Sequence, residues 1–355
     1  MIARMLTRMV LLRFLIVLGG ISIFVLTLDI VTYAKDIVQI DSGGLASIGR
    51  YGLYRAPSIL ATFLAISVLL ALLLTLTELS YRNEMPAIWS AGVSPLRLML
   101  MLLPLGLGLG ALHFALSDRA IPWAAPQLRD WGIGDYGEKK LTVGEKDPIW
   151  MRAGPDILRA ASGNRQASEL SDVIVFRRNA DGLLQEQIIA ARAVQSGGRW
   201  TLHDVVVYYQ QNLPPDRLKT LIYSGAMKPA SAGARSGDPE EMTSSGLSYF
   251  IDNAGFGIRP AWVYTTWWHK RMSLFFSAIV MIAICVPLAM RFRRGGGIGA
   301  LFGAGIGLGF VFFVTDGISL TMGELGFVLP WLAAWGPVLA FAAIAAAIGF
   351  RTLRI

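Results

Sequence analysis

Long uncharged apolar runs alternate with short polar connections over most of the chain, and one long stretch of a different pattern interrupts them. The runs cover residues 56–77, 98–117, 272–290, 295–315 and 325–350. Each comes close to the roughly 20 residues that carry a helix across the hydrocarbon core of a bilayer. A sixth run, 14–28, has only 15 residues between Arg13 and Asp29, so a full crossing must carry those charges toward the interfaces, where an arginine can extend its head to water. Arg4 and Arg8 ahead of an apolar core also fit a cleaved signal peptide. No small-residue cleavage site follows in "LTLDIVTYAKD", and five further spans need a sixth if both termini are to share one side. The segment therefore reads as a first span.

The interruption covers residues 119–271, between spans three and four. From Pro148 onward its apolar positions come in short β-type runs, "PIWMRA", "DVIVFRR", "LLQEQIIAARAV", "RWTLHDVVVYYQ" and "KTLIYSG", separated by "AGPD", "NADG", "SGG" and "NLPPD". Turn residues at that spacing predict an all-β sandwich or jelly roll. In "RWTLHDVVVYY" both alternating sets mix apolar and polar residues, as a half-buried strand or one lining an open groove would. The stretch "KPASAGARSGDPEEMTSSG" is poor in apolar residues and reads as a linker in which Glu240 and Glu241 form a solvated charge run. The resulting fold class is a membrane α-helical protein, three spans plus three, with an inserted all-β jelly-roll domain. Its boundaries are 1–118, 119–271 and 272–355.

Composition agrees with the pattern: 54% hydrophobic residues, 16% charged and a mean hydropathy of +0.53 are outside the usual range of soluble domains. The net charge of +8 is a matter of topology. Arg4, Arg8, Arg13, Arg82, Arg97, Arg291, Arg293, Arg294, Arg351 and Arg354 all fall on one side if the N-terminus is cytoplasmic, and only Lys35, Arg50 and Arg55 fall in the short outer loops. A pI near 9.7 is then no sign of nucleic-acid binding, and the β domain lies in the periplasm. The single cysteine, Cys285, sits within a span and permits no internal disulfide. No P-loop, HExxH or GxSxG motif is present, and His113, His203 and His269 are scattered in sequence, so nothing points to catalysis or to a metal.

Three features stand out from this frame. The connection from Glu78 to Pro95, "ELSYRNEMPAIWSAGVSP", is too elaborate for a simple turn. Ser80 or Asn83 is placed to cap a short helix near 83–92, Glu84 lies in its first turn, Ile88 and Trp89 give it an apolar side, and Gly92 closes it before Ser94 and Pro95. Span five, "GGGIGALFGAGIGLGFVFF", has small-xxx-small spacing at Gly299 and Gly303 and at Gly305 and Gly309, which permits close helix approach. Asp316 closes that span and needs a protein or water partner at its depth. At the outer end of span one stands Lys35, the position of a membrane anchor.

Together these features resemble the LptF/LptG permeases of the lipopolysaccharide export ABC transporter over nearly the whole chain. The resemblance rests first on "YRNEMPAIWSAGVSP", then on "GLGFVFFVTDGIS" and more weakly on "LDIVTYAKD"; of the two paralogues, "DPIWMRAGPDILRAASG" and "FVFFVTD" look more like LptG. It implies a non-catalytic permease that binds no cofactor itself. A paralogous LptF would complete a heterodimer, and an LptB dimer would use ATP and Mg2+. LptC and the bridge LptA would receive the lipopolysaccharide. It implies further that the loop after span two is a coupling helix, with Arg82, Glu84, Ile88, Trp89 and Gly92 at the ATPase. Pro86 departs from the family pattern and sets the helix start near Asn83. Lys35 and Arg129 would hold lipopolysaccharide phosphates, although the family's paired basic residues after span one are here one lysine followed by Asp36. Gly299, Gly303, Gly305, Gly309 and Asp316 would belong to a lateral gate of spans one and five, which Phe312 would face, while Ala345 on span six would point outward. The alternative from another class is a membrane-anchored β domain that binds an envelope component without transporting it. An anchor has no use for a coupling helix.

Overall fold

A computed structural model describes residues 2–41, 44–133, 136, 149–163, 169–179, 182–196, 199–210, 213–225, 238–252, 259–291 and 298–353. Six helices among these are long and apolar enough to cross a membrane. The chain divides into two compact units, Met1–Gly137 with Thr265–Ile355, and Glu138–Tyr264.

The first span is far longer than its apolar run. Helix α1 covers Ile2–Asp41 and α2 covers Leu45–Tyr81. Neither charge that bounds the run ends the helix, because each finds a partner on α2. Arg13 pairs with Glu78, and Asp29 accepts hydrogen bonds from Arg55 Nε at 2.8 Å and Tyr51 Oη at 2.9 Å. Arg55 is therefore a helix residue and not a loop residue. The short α3, Glu84–Ser90, precedes α4, Pro95–Ala115, which runs through one π-helical turn at Leu116–Ala120 into α5, Ile121–Trp131. In the left-handed conformation that glycine tolerates, Gly132 (φ 62°) ends α5.

Beyond the inserted domain come α7, Ala261–Arg291, α8, Ile298–Glu324, and α9, Pro330–Leu353. The last span starts at Pro330, five residues later than the apolar run suggests, because 325–328 form a turn around Gly326 (φ 78°). Apolar faces of all six spans share one core, among them Phe14, Leu72, Leu102, Met281, Phe312 and Phe341. Phe312 packs edge-on against Phe341 at 5.0 Å within the core, and Ala345 is buried, so Ala345 does not point outward as the sequence suggested.

Helices α4 and α7 approach each other closely. A methyl group on Gly110 would overlap the carbonyl oxygen of Phe275, and one on Gly106 would meet Ile282 Cδ1 at 2.9 Å. One turn further along α4, His113 Nδ1 lies 3.1 Å from Ser277 Oγ.

The inserted domain holds six strands, β1 Ile149–Ala153, β2 Asp156–Gly163, β3 Glu169–Arg178, β4 Leu184–Ser196, β5 Arg199–Tyr209 and β6 Asp216–Tyr223. They form one antiparallel sheet in chain order. Sequence reading found all but β2. Where a sandwich or jelly roll sets two sheets face to face, the described strands enclose their core with a single bent sheet.

The bend has a local cause. Ala161, Asp172, Ala191, Asp204 and Lys219 fall in one row across β2 to β6, between paired residues on either side. Asp172 (φ 49°) and Asp204 (φ 53°) are left-handed there, a region that aspartate tolerates better than most residues. The alternation restarts at this row. On β5, Trp200 and Leu202 are buried before it and Val205 and Val207 after it, all in the same cluster. That restart is why both alternating sets of β5 look mixed in sequence.

A buried side-chain bond joins β2 to the far strand β6: Tyr223 Oη donates to Asp156 Oδ2 at 2.8 Å. Burial and this bond hold the Tyr223 phenol above its ordinary value. With the folded value raised, its stabilisation is complete below the unfolded pKa of about 10 and is lost as pH climbs from there toward the folded value. Tyr223→Phe should cost about 1–2 kcal/mol and remove part of the alkaline loss. Thermal unfolding of the full chain at pH 8 and above pH 10 checks both.

The linker read at 228–246 lies outside the described residues up to Gly237. Its remainder is ordered: Pro239–Glu241 is one 3-10 turn and α6 covers Ser244–Asp252, with Leu247 and Phe250 buried. Glu241 is buried, so the pair Glu240 and Glu241 is not a solvated charge run.

Candidate coupling and gating sites

The connection after span two is an elbow built on the short helix α3. Its first bend is at Asn83 (φ 56°), whose N–H donates to Ser80 O at 3.1 Å, and its second is at Gly92 (φ 79°). Ser94 then caps α4, accepting from Arg97 N at 3.2 Å with Pro95 in the first turn. The helix start at Glu84 agrees with the position of Pro86.

The apolar side of α3 is turned inward, since Met85, Ile88 and Val93 belong to the core shared with Leu79 and Leu98. Ile88 is therefore not available as an anchor for another protein, which corrects the sequence expectation. It fixes the elbow to its own bundle. Glu84 is exposed, and the Trp89 side chain lies outside what the structure describes. Arg82 is exposed but not isolated: its Nη2 lies 2.6 Å from Glu78 Oε1, and Glu78 also holds Arg13 of α1. The sequence marked Arg13 as an interfacial charge and Glu78 as the start of the connection but did not pair them, because their meeting depends on how α1 and α2 pack.

The glycines of α8 divide between two surroundings. Gly305 and Gly309 sit directly against Leu73 and Leu69 of α2, where an added methyl group would overlap those side chains. Around Gly299 and Gly303 such a group would meet nothing within 4 Å. Among the described residues, it is the second pair of the motif that brings helices together. Gly295, Gly296 and Gly297 lie outside the described residues.

Asp316 does not close its span, since α8 continues to Glu324. Its two oxygens accept from Lys270 Nζ of α7 at 2.5 and 2.6 Å, and two turns on, Trp267 Nε1 donates to Glu324 Oε1 at 2.5 Å. Lys270 was missed because it precedes the apolar run of span four. A carboxylate within a span was the one signal that called for such a partner.

At the end of the bundle away from the elbow, Ile37, Tyr51, Leu128 and Tyr136 form a separate cluster among α1, α2 and α5. Lys35 is exposed two residues before Ile37, and Arg129 is half-buried beside Leu128. The fold thus brings both predicted phosphate-binding residues to one end of the bundle.

Two groups of three apolar spans with an inserted β domain and an elbow after span two define a multi-pass membrane protein. The family model for the lipopolysaccharide export system permease LptF/LptG matches residues 4–351, and the chain belongs to that family. No curated protein matches it. The family consists of inner-membrane permease subunits that are not catalytic themselves, which sets aside the anchored binding module.

Proposed function

We propose that this chain is the LptG-type subunit of the exporter, extracting lipopolysaccharide from the outer leaflet of the inner membrane. LptF completes the cavity, an LptB dimer supplies energy from ATP and Mg2+, and the β domain passes the lipid to LptC and LptA. The β domain faces the periplasm and both termini the cytoplasm. In this reading Lys35 and Arg129 attract phosphates at headgroup depth, and α1 and α8 border the entry, with Gly299 and Gly303 free to meet another subunit. Like the other arms of the reading, the preference for LptG over LptF rests on the resemblance of "DPIWMRAGPDILRAASG" and "FVFFVTD".

The observation that carries the proposal is the elbow. Its apolar side is folded into the bundle while Glu84 is presented outward, so a push on α3 is delivered to α2 and α4 without being lost in a flexible loop. Glu84→Ala should leave the bundle folded and weaken ATPase association by about 2 kcal/mol, the low end for a charge removed from a desolvated contact. Purification in mild detergent reads the result and also identifies the paralogue that accompanies the chain. Normal co-purification and normal lipopolysaccharide release by the mutant would sink the coupling role of Glu84.

A further inference from the structure

Glu78 of α2 holds two arginines, Arg13 of α1 on Oε2 and, on Oε1 at 2.6 Å, Arg82, which lies four residues on at the C-terminal cap of α2 itself, where the chain turns into the elbow. The Arg13 side is the more shielded, with side-chain exposures of 19% for Arg13 and 61% for Arg82, so water screens that attraction less. Sixteen residues further along α1 (29 − 13), or about 24 Å of helix, Asp29 is tied to Arg55 and Tyr51 of the same partner helix. The first span is thus joined to the second by polar ties at both ends. Between them Phe14 and Leu18 of α1 and Leu64, Val68 and Leu72 of α2 share the apolar core, and in a bilayer such contacts resist sliding weakly because lipid tails are as apolar as leucine. The ties set the register of α1 on α2.

We propose that Glu78 is a positioning residue for transport: by holding Arg13 on one oxygen while the other holds Arg82 at the cap of its own helix, it ties α1 to the end of α2 that leads into the elbow, so that the three move as one lever. Displacement of α3 then reaches α1, whose far end carries Lys35. This rests on the reading of α3 as the coupling helix and α1 as an entry helix. The plainer possibility is that the pair only lets a charge sit near the interface; such an anchor would affect assembly but not the lipid released per ATP hydrolysed.

The purified complex in proteoliposomes separates the two, with ATP hydrolysis and lipopolysaccharide release measured together. Arg13→Met and Glu78→Gln should assemble and hydrolyse ATP within about twofold of wild type, while lipid released per ATP falls about tenfold. The double variant should be no worse than Glu78→Gln, because both substitutions break one connection. Arg13→Lys, which keeps the charge, should retain most of the coupling. Unchanged release per ATP in the assembled single variants, or losses that multiply in the double, would overturn the proposal. If Arg13→Met does not assemble, Glu78→Asp decides, since the shorter side chain keeps the charge but cannot reach both arginines; wild-type coupling there also overturns it. Glu84→Ala serves as the reference for the underlying reading. Loss of ATPase association there, together with an unchanged ratio in Glu78→Gln, would remove this proposal alone.

Discussion

Replacing Gly110 with leucine is expected to abolish the folded bundle, and Gly110→Ala to weaken it substantially. At Gly110 the atom in the way is a backbone oxygen, that of Phe275, whereas at Gly106 it is the end of the Ile282 side chain with Ile279 beside it. A side-chain end can rotate aside. A helix backbone can retreat only by moving the whole of α7, whose Met281, Ile282 and Cys285 are in the core. Overpacking in ordinary cores costs about 1–3 kcal/mol, so a rigid clash at a helix crossing should exceed the upper figure. Gly106→Ala should stay near the lower one. In the bilayer such close packing is itself a main source of helix association. By contrast, leucine at Gly299 or Gly303 has open space and should leave folding of this chain unchanged. Monodisperse yield and melting temperature in detergent test the series, and a Gly110→Leu protein that melts like wild type would show that the α4–α7 crossing is not so tight.

That contrast shows where sequence reading reached its limit. Glycine density pointed to α8, but closeness depends on what a glycine faces, and Gly106 and Gly110 of α4 were hidden in an ordinary apolar run. The spans were legible because hydrocarbon demands long uncharged stretches, and the β domain because turn residues punctuate it. The length of α1 was not, since Arg13 and Asp29 are tolerated through partners on α2 that no local pattern reveals. Strand β5 looked polar on both faces because Asp204 restarts its alternation, a backbone event with no sequence period. In the elbow, capping and glycine signals located the helix, yet could not say that Ile88 turns toward its own bundle.

The second large effect is expected at Lys270. Its ammonium and the Asp316 carboxylate are mutually satisfied, with side-chain exposures of 9% and 20%, in helices that also meet through Trp267 and Glu324. Desolvation offsets much of the attraction in a shielded pair, so the pair's net contribution is small, whereas removing one partner leaves the other stranded. Lys270→Met should therefore cost about 3 kcal/mol, and Asp316→Asn a comparable amount. The double variant Lys270→Met/Asp316→Leu should recover most of the loss, because neither charge then remains to be solvated. Melting of the purified chain in detergent measures all three. If α8 is held to α7 mainly by this pair, the double variant should fold well but release lipopolysaccharide poorly, since α8 would no longer be fixed beside the entry. A double variant as unstable as the sum of the singles would mean that Lys270 and Asp316 act separately and do not clamp α8.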